Sequence, residues 1–192
     1  MTCRIGILIS GRGTNMEAIA DHIAEERADV TIAFVASDKK AARGLEIARS
    51  KGIPTATISY KDGRRAGESQ IDKLWNDSHI DLLVLAGYMR LLTGDFVSCH
   101  ENRILNIHPA LLPKFKGAHG IEDFWNSGEP VSGVTVHIVD AQMDHGPILA
   151  QREVPREPND TIETYEAKIH AVEHQLYWQA IKSYIGQITQ EA

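Results

Sequence analysis

The chain has 192 residues, a length that points to one domain, or to a domain with a small lobe, and that is ample for a packed core. Its formal net charge is −6 at pH 7 without any basic block, which argues against a nucleic-acid-binding surface, although local amides could still bind a small anion. Its two cysteines, Cys3 and Cys99, lack the spacing of a zinc ribbon or a disulfide framework, so we expect a reducing environment.

The sequence carries no signal for export or for a membrane. It leads directly into an apolar strand, without the charged leader and cleavage site of a signal peptide. No apolar run approaches the length of a membrane span, which is about 18 residues or more. We therefore expect a soluble, cytoplasmic protein that has no membrane partner.

The chain begins with a predicted strand, a loop that contains two glycines, and a helix. Residues 5–9 are a continuous apolar run, and the loop that follows reads Ser-Gly-Arg-Gly-Thr-Asn. Thr14 and Glu17 have the spacing of a capping box, which predicts Thr14 as the helix N-cap. This order directs backbone N–H groups and the positive helix end at one point, which predicts a site for a phosphate-sized anion. A tight turn that needs glycine only for its backbone angles is the alternative.

The same glycines do not complete a nicotinamide-binding fingerprint. Met16 stands where the third glycine would fall, and the lysine of a P-loop is absent from this loop. Asp38 follows the second predicted strand, at residues 30–36, and could be the ribose-binding acid of such a site. Asp at this position is more often the N-cap of the next helix. An NAD-dependent oxidoreductase is therefore the disfavoured alternative.

Further strand and helix patterns alternate up to residue 92. We predict a helix at 41–50, a short strand at 54–59, a loop at 61–67, a helix at 68–77 and a buried strand at 81–86. Repeated strand–helix units predict a parallel sheet with right-handed crossovers. The segment Gly-Tyr-Met-Arg-Leu-Leu at 87–92 would suit a flat heteroaromatic ligand, although core packing is the simpler explanation.

Residues 104–108, Ile-Leu-Asn-Ile-His, form the strand on which the chemistry centres. Alternation along a strand places Asn106 and His108 on the same face, and Pro109 keeps His108 extended. An amide can donate to a developing oxyanion, and an imidazole can exchange a proton near neutral pH. A satisfied polar pair that ends a core strand is the alternative.

The remaining chain adds two further candidate residues. A period of two at 133–139 predicts an antiparallel strand, and Asp144 lies in the loop after it, where it could reach His108 or only cap a turn. A last strand at 147–154 precedes the longest helix. Glu173 falls beside the apolar stripe of that helix, and an inward carboxylate is costly unless it is paired. It is a site candidate, with a salt bridge to an arginine as the alternative.

Five stretches together resemble the phosphoribosylglycinamide formyltransferase family of purine synthesis. They are Ser10-Gly11-x-Gly13-Thr14-Asn15, Ala86-Gly87-Tyr88-Met89-Arg90, Asn106-Ile107-His108-Pro109, Thr135-Val136-His137 and Asp144-x-Gly146-Pro147. Their order and spacing match over nearly the full length. Methionyl-tRNA formyltransferase and formyltetrahydrofolate deformylase are similar in part but carry an added domain, for which we expect no room here.

The resemblance implies a fold and a division of labour. We expect a single α/β formyltransferase domain over residues 1–192, with three layers and a mostly parallel, twisted, seven-stranded sheet between helices on both faces. One strand near the C-terminal half would be antiparallel. Residues up to about 100 would bind the phosphoribosyl substrate, and the rest would carry the catalytic residues and the folate site.

The resemblance also implies roles for individual residues. The catalytic residues would be Asn106, His108 and Asp144. The substrate phosphate would contact Gly13, Thr14 and Asn15, and the ribose or amine of that substrate would contact Glu173. The folate contacts would be Arg64, Met89, Arg90, Leu91, Leu92, Val139 and Asp140. The chain departs from the family at His145, where a small residue is usual, and at Trp178, where a proline is usual.

The implied reaction is a direct formyl transfer from 10-formyltetrahydrofolate to the amine of 5'-phosphoribosylglycinamide, without a metal. Asn106 would donate to the oxyanion, and His108 would stabilise it as an imidazolium and move the proton. Asp144 would raise the pKa of His108. We expect only small-molecule partners and a monomer or homodimer. The alternatives are another folate-dependent formyl transfer, hydrolysis of the formyl folate, the NAD oxidoreductase, and a non-catalytic binding module.

Overall fold

The structure, a computed structural model, describes residues 2–188, and these contain seven strands and six helices. The strand order is β3-β2-β1-β4-β5-β6-β7. The chain divides after residue 105 into two compact units, which we call unit 1 (residues 2–105) and unit 2 (residues 106–188). Each unit is described separately.

Unit 1 is built from alternating strands and helices. Its elements are β1 (Cys3–Ile9), α1 (Thr14–Glu26), β2 (Val30–Ser37), α2 (Arg43–Ser50), β3 (Thr55–Thr57), α3 (Arg64–Ser78), β4 (Leu82–Leu85) and α4 (Gly94–Cys99). β1 pairs in parallel with both β2 and β4, and β2 pairs in parallel with β3. Because helices α1, α2 and α3 all pack against β2, the central strands are apolar along nearly their whole length.

Unit 2 contains the antiparallel part of the fold. Its elements are β5 (Ile104–His108), which contains the boundary between the units, α5 (Gly120–Ser127), β6 (Val131–Ile138), β7 (Ile148–Pro155) and α6 (Ile162–Ile188). β6 pairs with β7 in antiparallel register, and α6 packs against both strands. The buried Tyr165 of α6 donates a hydrogen bond from its hydroxyl to the Val154 carbonyl at 2.9 Å, which ties the helix to β7.

The predicted α/β class is confirmed, with a mostly parallel sheet and one antiparallel strand. All seven predicted strands are present, and they differ from the predictions only at their ends. The division into a single domain with two functional halves stays a prediction. Among residues 2–188, no helix combines the length and the apolarity that a membrane crossing requires.

Three local predictions were wrong. The N-cap of α1 is Gly13 in the left-handed conformation, so Thr14 is already helical and its side chain does not cap. Residues 64–67 are not loop but the first turn of α3. Asp38 does not cap α2, whose N-cap is Ala42; its carboxylate instead accepts hydrogen bonds from Ser10 and from Arg90. The short helix α4 was not predicted, because a single turn leaves little periodicity to detect.

Candidate active site

Asn106 and His137 form the first contact of a polar cluster in unit 2. Asn106, on β5, donates from its amide nitrogen to Nε2 of His137 on β6 at 3.2 Å. The other ring nitrogen, Nδ1, lies 2.9 Å from the Ile138 carbonyl, which can only accept. A neutral His137 therefore carries its hydrogen on Nδ1 and accepts at Nε2, and this arrangement fixes the orientation of the Asn106 amide.

His108 ends β5 and is buried, with 4% of its surface exposed. Its Nε2 donates to the Phe115 carbonyl at 2.7 Å, so a neutral ring has its lone pair on Nδ1. Nδ1 lies 3.6 Å from Oδ2 of Asp144. A Cβ atom at Gly120 would come within 3.2 Å of His108 Nε2, so the glycine at the start of α5 gives the ring the room it needs.

Asp144 faces both imidazoles from a loop residue with a left-handed backbone, φ +48°. Oδ2 accepts the Gly117 N–H at 2.8 Å, and Oδ1 lies 3.7 Å from Nε2 of His137. Burial raises the pKa of this carboxyl, but the His137 ring, the Gly117 amide and the charge of His108 together outweigh burial and hold the pKa below its usual value. Asp144 therefore stays ionised at neutral pH.

The pKa of His108 is lowered from its ordinary value of 6.5. Burial of the ring is the largest cause, and it outweighs Asp144 and the Phe115 carbonyl, which both act to raise the pKa. The expected effect of Asp144, which is to raise this pKa, is thus present, although burial determines the direction of the net shift. In the protein without substrate, His108 is mainly neutral at pH 7.

The glycine loop in unit 1 is shaped by close backbone packing. Gly13 has φ +77°, and Gly11 accepts the Gly44 N–H at 3.1 Å. A Cβ atom on Gly13 would lie 2.6 Å from Cα of Gly44, so the loop and the first turn of α2 pack as two bare backbones. Because Glu17 donates the first helical hydrogen bond, to Gly13, the amides of Thr14 and Asn15 lie outside the helical ladder.

A cavity of about 300 Å³ lies in unit 1 and combines cationic, aromatic and apolar groups. It is lined by Tyr60, Arg64, Met89, Arg90 and Leu91. Met89 and Leu91 are 65% and 55% exposed, which is unusual for large apolar side chains, and the Arg90 guanidinium lies 5.0 Å from the centre of the Tyr60 ring. The neighbouring Arg65 contacts Asp95 at 3.3 Å.

A model of the formyl transferase family matches residues 3–181. The chain belongs to this family. It is 37% identical over 185 residues to phosphoribosylglycinamide formyltransferase of Bacillus subtilis, and the match covers 95% of each protein. It is 39% identical over 181 residues to the bovine trifunctional purine biosynthetic protein adenosine-3, of which it spans only 18% of the length.

Solved structures agree with the family assignment. The phosphoribosylglycinamide formyltransferase of Brucella melitensis has 42% identity and a TM-score of 0.88, with 96% of each chain covered. The corresponding enzyme of Bacillus halodurans has 40% identity and a TM-score of 0.90, with 94% of each chain covered. These similarities confirm the predicted formyltransferase fold, with helices on both sides of the sheet. Membership in the formyl transferase family also implies a folate-derived formyl donor.

The other residues that the sequence singled out lie partly in unit 1 and partly in unit 2. Leu92 follows the cavity segment and is half-buried, and Val139 and Asp140 follow β6 in unit 2. Asp140 accepts from His145 at 2.7 Å and from the Gln142 amide at 2.9 Å, so His145 bridges the loop that carries Asp144. Trp178, the other departure, is buried in α6.

Glu173 is buried on α6, as its position beside the apolar stripe predicted. Its Oε2 lies 4.0 Å from Nε2 of His170, one turn earlier on the same helix. A histidine is therefore one of its neighbours, and the salt bridge to an arginine stays a prediction. Within the described residues, no three His, Cys, Asp or Glu side chains are grouped so that they could hold a metal ion.

Sequence reasoning gave no role to His137 or Gly117. The sequence did contain a pattern that could have identified His137, because the period of two in β6 places it on the same strand face as Thr135. The Thr135 hydroxyl forms hydrogen bonds with the backbone of Ala110 and Leu112, in the segment after β5. Gly117 contributes a backbone amide, and its position depends on the course of residues 109–119, which no local pattern specifies.

We expect His108 to titrate below 6.5, and to titrate lower still in Asp144→Asn. The substitution removes a negative charge that favours the imidazolium, while the amide oxygen can still accept the Gly117 N–H. The measurement is an NMR titration of the ring resonances between pH 4 and 8. Asp123→Asn, at an exposed carboxylate of α5, is the matched control and should leave the titration of His108 unchanged. A higher pKa in Asp144→Asn would contradict this electrostatic assignment.

Proposed function

We propose that the protein transfers the formyl group of 10-formyltetrahydrofolate to the amine of 5'-phosphoribosylglycinamide, a step of purine biosynthesis. The observation that carries this proposal is the cluster of Asn106, His137, Asp144 and His108, whose two histidines are buried, in a chain of the formyl transferase family. The cluster combines a fixed amide donor, a neutral imidazole and an ionised carboxylate.

Asn106 supplies the hydrogen bond for the oxygen on which negative charge develops. Its amide nitrogen carries two hydrogens, and His137 accepts only one of them. The second hydrogen can be donated to the formyl oxygen without any rearrangement of the amide. A donor that is already oriented gains most in the transition state, because no reorganisation is needed at the moment of reaction. His137 is therefore a positioning residue for Asn106.

His108 moves the proton that the transfer requires. Its neutral Nδ1, which lies 3.6 Å from the Asp144 carboxylate, can accept a proton from the attacking amine, either directly or through one bridging water. The imidazolium that results is stabilised by the Asp144 carboxylate and by the Phe115 carbonyl. It then delivers the proton to the departing nitrogen of the folate, which returns His108 to its neutral form. No covalent bond to the protein is needed.

The phosphate of the substrate would be held by Gly13, Thr14 and Asn15. The amides at the start of α1 and the positive end of the helix favour a doubly charged anion. Glu173 is the proposed contact for the ribose or amine. This contact rests on the family resemblance.

The folate donor would contact the cavity of unit 1. The guanidinium groups of Arg64 and Arg90 suit the carboxylates at the glutamate end of a folate, and Met89 and Leu91 offer apolar surface. The resemblance adds Leu92, Val139 and Asp140 to this set. Small-molecule partners, a cytoplasmic location and a monomeric or homodimeric state belong to the same proposal.

The decisive experiment mixes the purified protein with 10-formyltetrahydrofolate and 5'-phosphoribosylglycinamide and follows the folate absorbance. We expect turnover that needs both substrates, and we expect Asn106→Ala to lower kcat by 10² to 10³, or about 3 kcal/mol, because one oxyanion donor is lost. His108→Ala should lower kcat at least as much. Asn126→Ala, an exposed asparagine of unit 2, is the matched control and should keep full activity.

Two results would contradict this assignment. Loss of the formyl group at equal rates with and without the amine would identify a hydrolase, since a neutral imidazole can also activate water. Near-normal kcat in Asn106→Ala would remove the amide from the mechanism. Binding of a nicotinamide cofactor would instead favour the oxidoreductase alternative.

Gly44→Ala should weaken binding of the phosphoribosyl substrate and leave binding of the formyl donor unchanged. An added Cβ atom would lie 2.9 Å from Cα of Gly13, so the phosphate loop would have to shift. We expect KM for 5'-phosphoribosylglycinamide to rise about tenfold, or about 1.4 kcal/mol. Gly11→Ala is the matched control, because its Cβ atom would meet no atom within 4 Å. Equal KM values for both variants would show that the packing of Gly44 does not position the loop.

Arg64→Ala and Arg65→Ala form a second matched pair. Arg64 lines the cavity, whereas Arg65 is an exposed partner of Asp95. We expect Arg64→Ala to raise KM for the donor about tenfold or more, because a hydrogen bond to a charged group contributes about 1.5–3 kcal/mol. Arg65→Ala should change it less than about twofold, as for a surface ion pair. The reverse ranking would move the folate contact to Arg65.

A further inference from the structure

Asp38 lies immediately after β2 and is buried in an unusual setting for a carboxylate. Only 2% of its side chain is exposed, and two donors approach its two oxygens. The Ser10 hydroxyl donates to Oδ1 at 2.7 Å, and Nε of Arg90 donates to Oδ2 at 2.8 Å. Removal of a carboxylate from water is unfavourable unless such bonds replace its hydration, so both donors are integral to its position.

Ser10 connects this carboxylate to the segment that lines the cavity. It ends β1 and is itself buried, and its oxygen accepts the Met89 N–H at 2.8 Å while its hydroxyl hydrogen goes to Asp38. Its own backbone N–H donates to the Gly87 carbonyl at 3.1 Å. The Ser10 hydroxyl therefore links the Asp38 carboxylate to the Met89 amide through two consecutive hydrogen bonds.

The contacts close a ring, because Met89 and Arg90 are adjacent in the chain. We call this ring the Ser10–Asp38–Arg90 network; it runs from the Met89 amide through Ser10 and Asp38 to the Arg90 guanidinium. Tyr60 supports the other side, since Arg90 lies over its ring and its hydroxyl is 2.7 Å from that of Tyr88. The backbone and the side chain at 89–90 are thus fixed by one buried charge.

The hydrogen bond to Asp38 orients Arg90 but engages only part of its guanidinium group. The bond from Nε engages one of the five N–H donors of the guanidinium, and its side chain is 51% exposed at the cavity. The remaining donors stay available to an anionic group of a ligand. A guanidinium that is already oriented binds a carboxylate with a smaller loss of side-chain entropy than a mobile one.

From this geometry we propose that Asp38 is a positioning residue for donor binding, which it serves by orienting Arg90 and the Met89 amide through the Ser10–Asp38–Arg90 network. The inference rests on the proposed function, which assigns the cavity to the folate donor. It gives a role to a carboxylate that sequence reasoning considered only as a helix cap or as a nicotinamide ribose ligand. Asp38 acts through its neighbours and does not contact the substrate.

The test is the isosteric variant Asp38→Asn. Its one oxygen can occupy only one of the two carboxylate oxygen positions, so either Ser10 or Arg90 would face the amide NH2 group, and the charge is lost. We expect KM for 10-formyltetrahydrofolate, and Kd for its stable isomer 5-formyltetrahydrofolate measured by titration calorimetry, to rise about tenfold through loss of a charge-assisted bond. We expect kcat and KM for 5'-phosphoribosylglycinamide to change less than about twofold, a division that general destabilisation would not produce.

A double-mutant cycle separates positioning from a merely structural role. If Asp38 acts through Arg90, then Asp38→Asn should add little to the effect of Arg90→Ala on the Kd of 5-formyltetrahydrofolate. Ser10→Ala provides a second variant that breaks the relay to Met89, and it should weaken the same ligand. Asp95→Asn is the matched control, because it removes the carboxylate partner of the other arginine, Arg65, at an exposed site.

The outcomes distinguish this inference from the proposal on which it rests. If the unmodified protein binds 5-formyltetrahydrofolate and Asp38→Asn binds it equally well, the positioning role is overturned and the proposed function stands. Full additivity in the cycle, or an equal loss in Asp95→Asn, also overturns the positioning role. If the unmodified protein neither binds this folate nor transfers a formyl group, the proposed function fails and the positioning role fails with it.

Discussion

The chemistry that we propose for unit 2 depends on one part-buried carboxylate, Asp144, held between two imidazoles. The Gly117 amide anchors one oxygen at 2.8 Å, while the two ring nitrogens remain 3.6 Å and 3.7 Å away. Because these separations are longer than hydrogen bonds, the carboxylate exerts its charge on both rings without being neutralised by either. Its lowered pKa keeps that charge present at neutral pH, so a proton taken up by His108 meets a counter-ion already in place.

Two backbone carbonyls determine which ring nitrogen of His108 and of His137 carries the lone pair in the neutral form. Phe115 and Ile138 each accept from one ring nitrogen, of His108 and of His137, and so set both tautomers. The lone pair of His108 then faces Asp144, and the lone pair of His137 orients Asn106. Two chemically identical side chains thereby acquire different tasks. The difference comes from the backbone that surrounds each ring and not from the rings themselves.

The sequence predicted the elements of the fold well, because apolar periodicity and glycine breaks are local signals. Asn106 and His108 could be paired from strand alternation alone, whereas their link to Asp144 came from family resemblance. The contacts of Asp38 with Ser10 and Arg90 were missed, since those residues are 28 and 52 positions away and no local pattern joins them. Thr14 was assigned as a cap because the capping-box pattern cannot show that Gly13 must be left-handed to pack on Gly44.

Asp38 and Asp144 show how the same side chain serves two purposes according to how completely it is bonded. Asp38 accepts one hydrogen bond on each oxygen, from Ser10 at 2.7 Å and from Arg90 at 2.8 Å. Movement of either donor would therefore break a hydrogen bond that is already formed. A carboxylate with both oxygens bonded in this way restricts the motion of its partners, Ser10 and Arg90. Asp144 has one short bond and two longer separations, so it can shorten a contact when an imidazolium appears. Two short hydrogen bonds therefore suit Asp38, which we propose positions a binding segment, and one short bond suits Asp144, which we propose accompanies proton transfer.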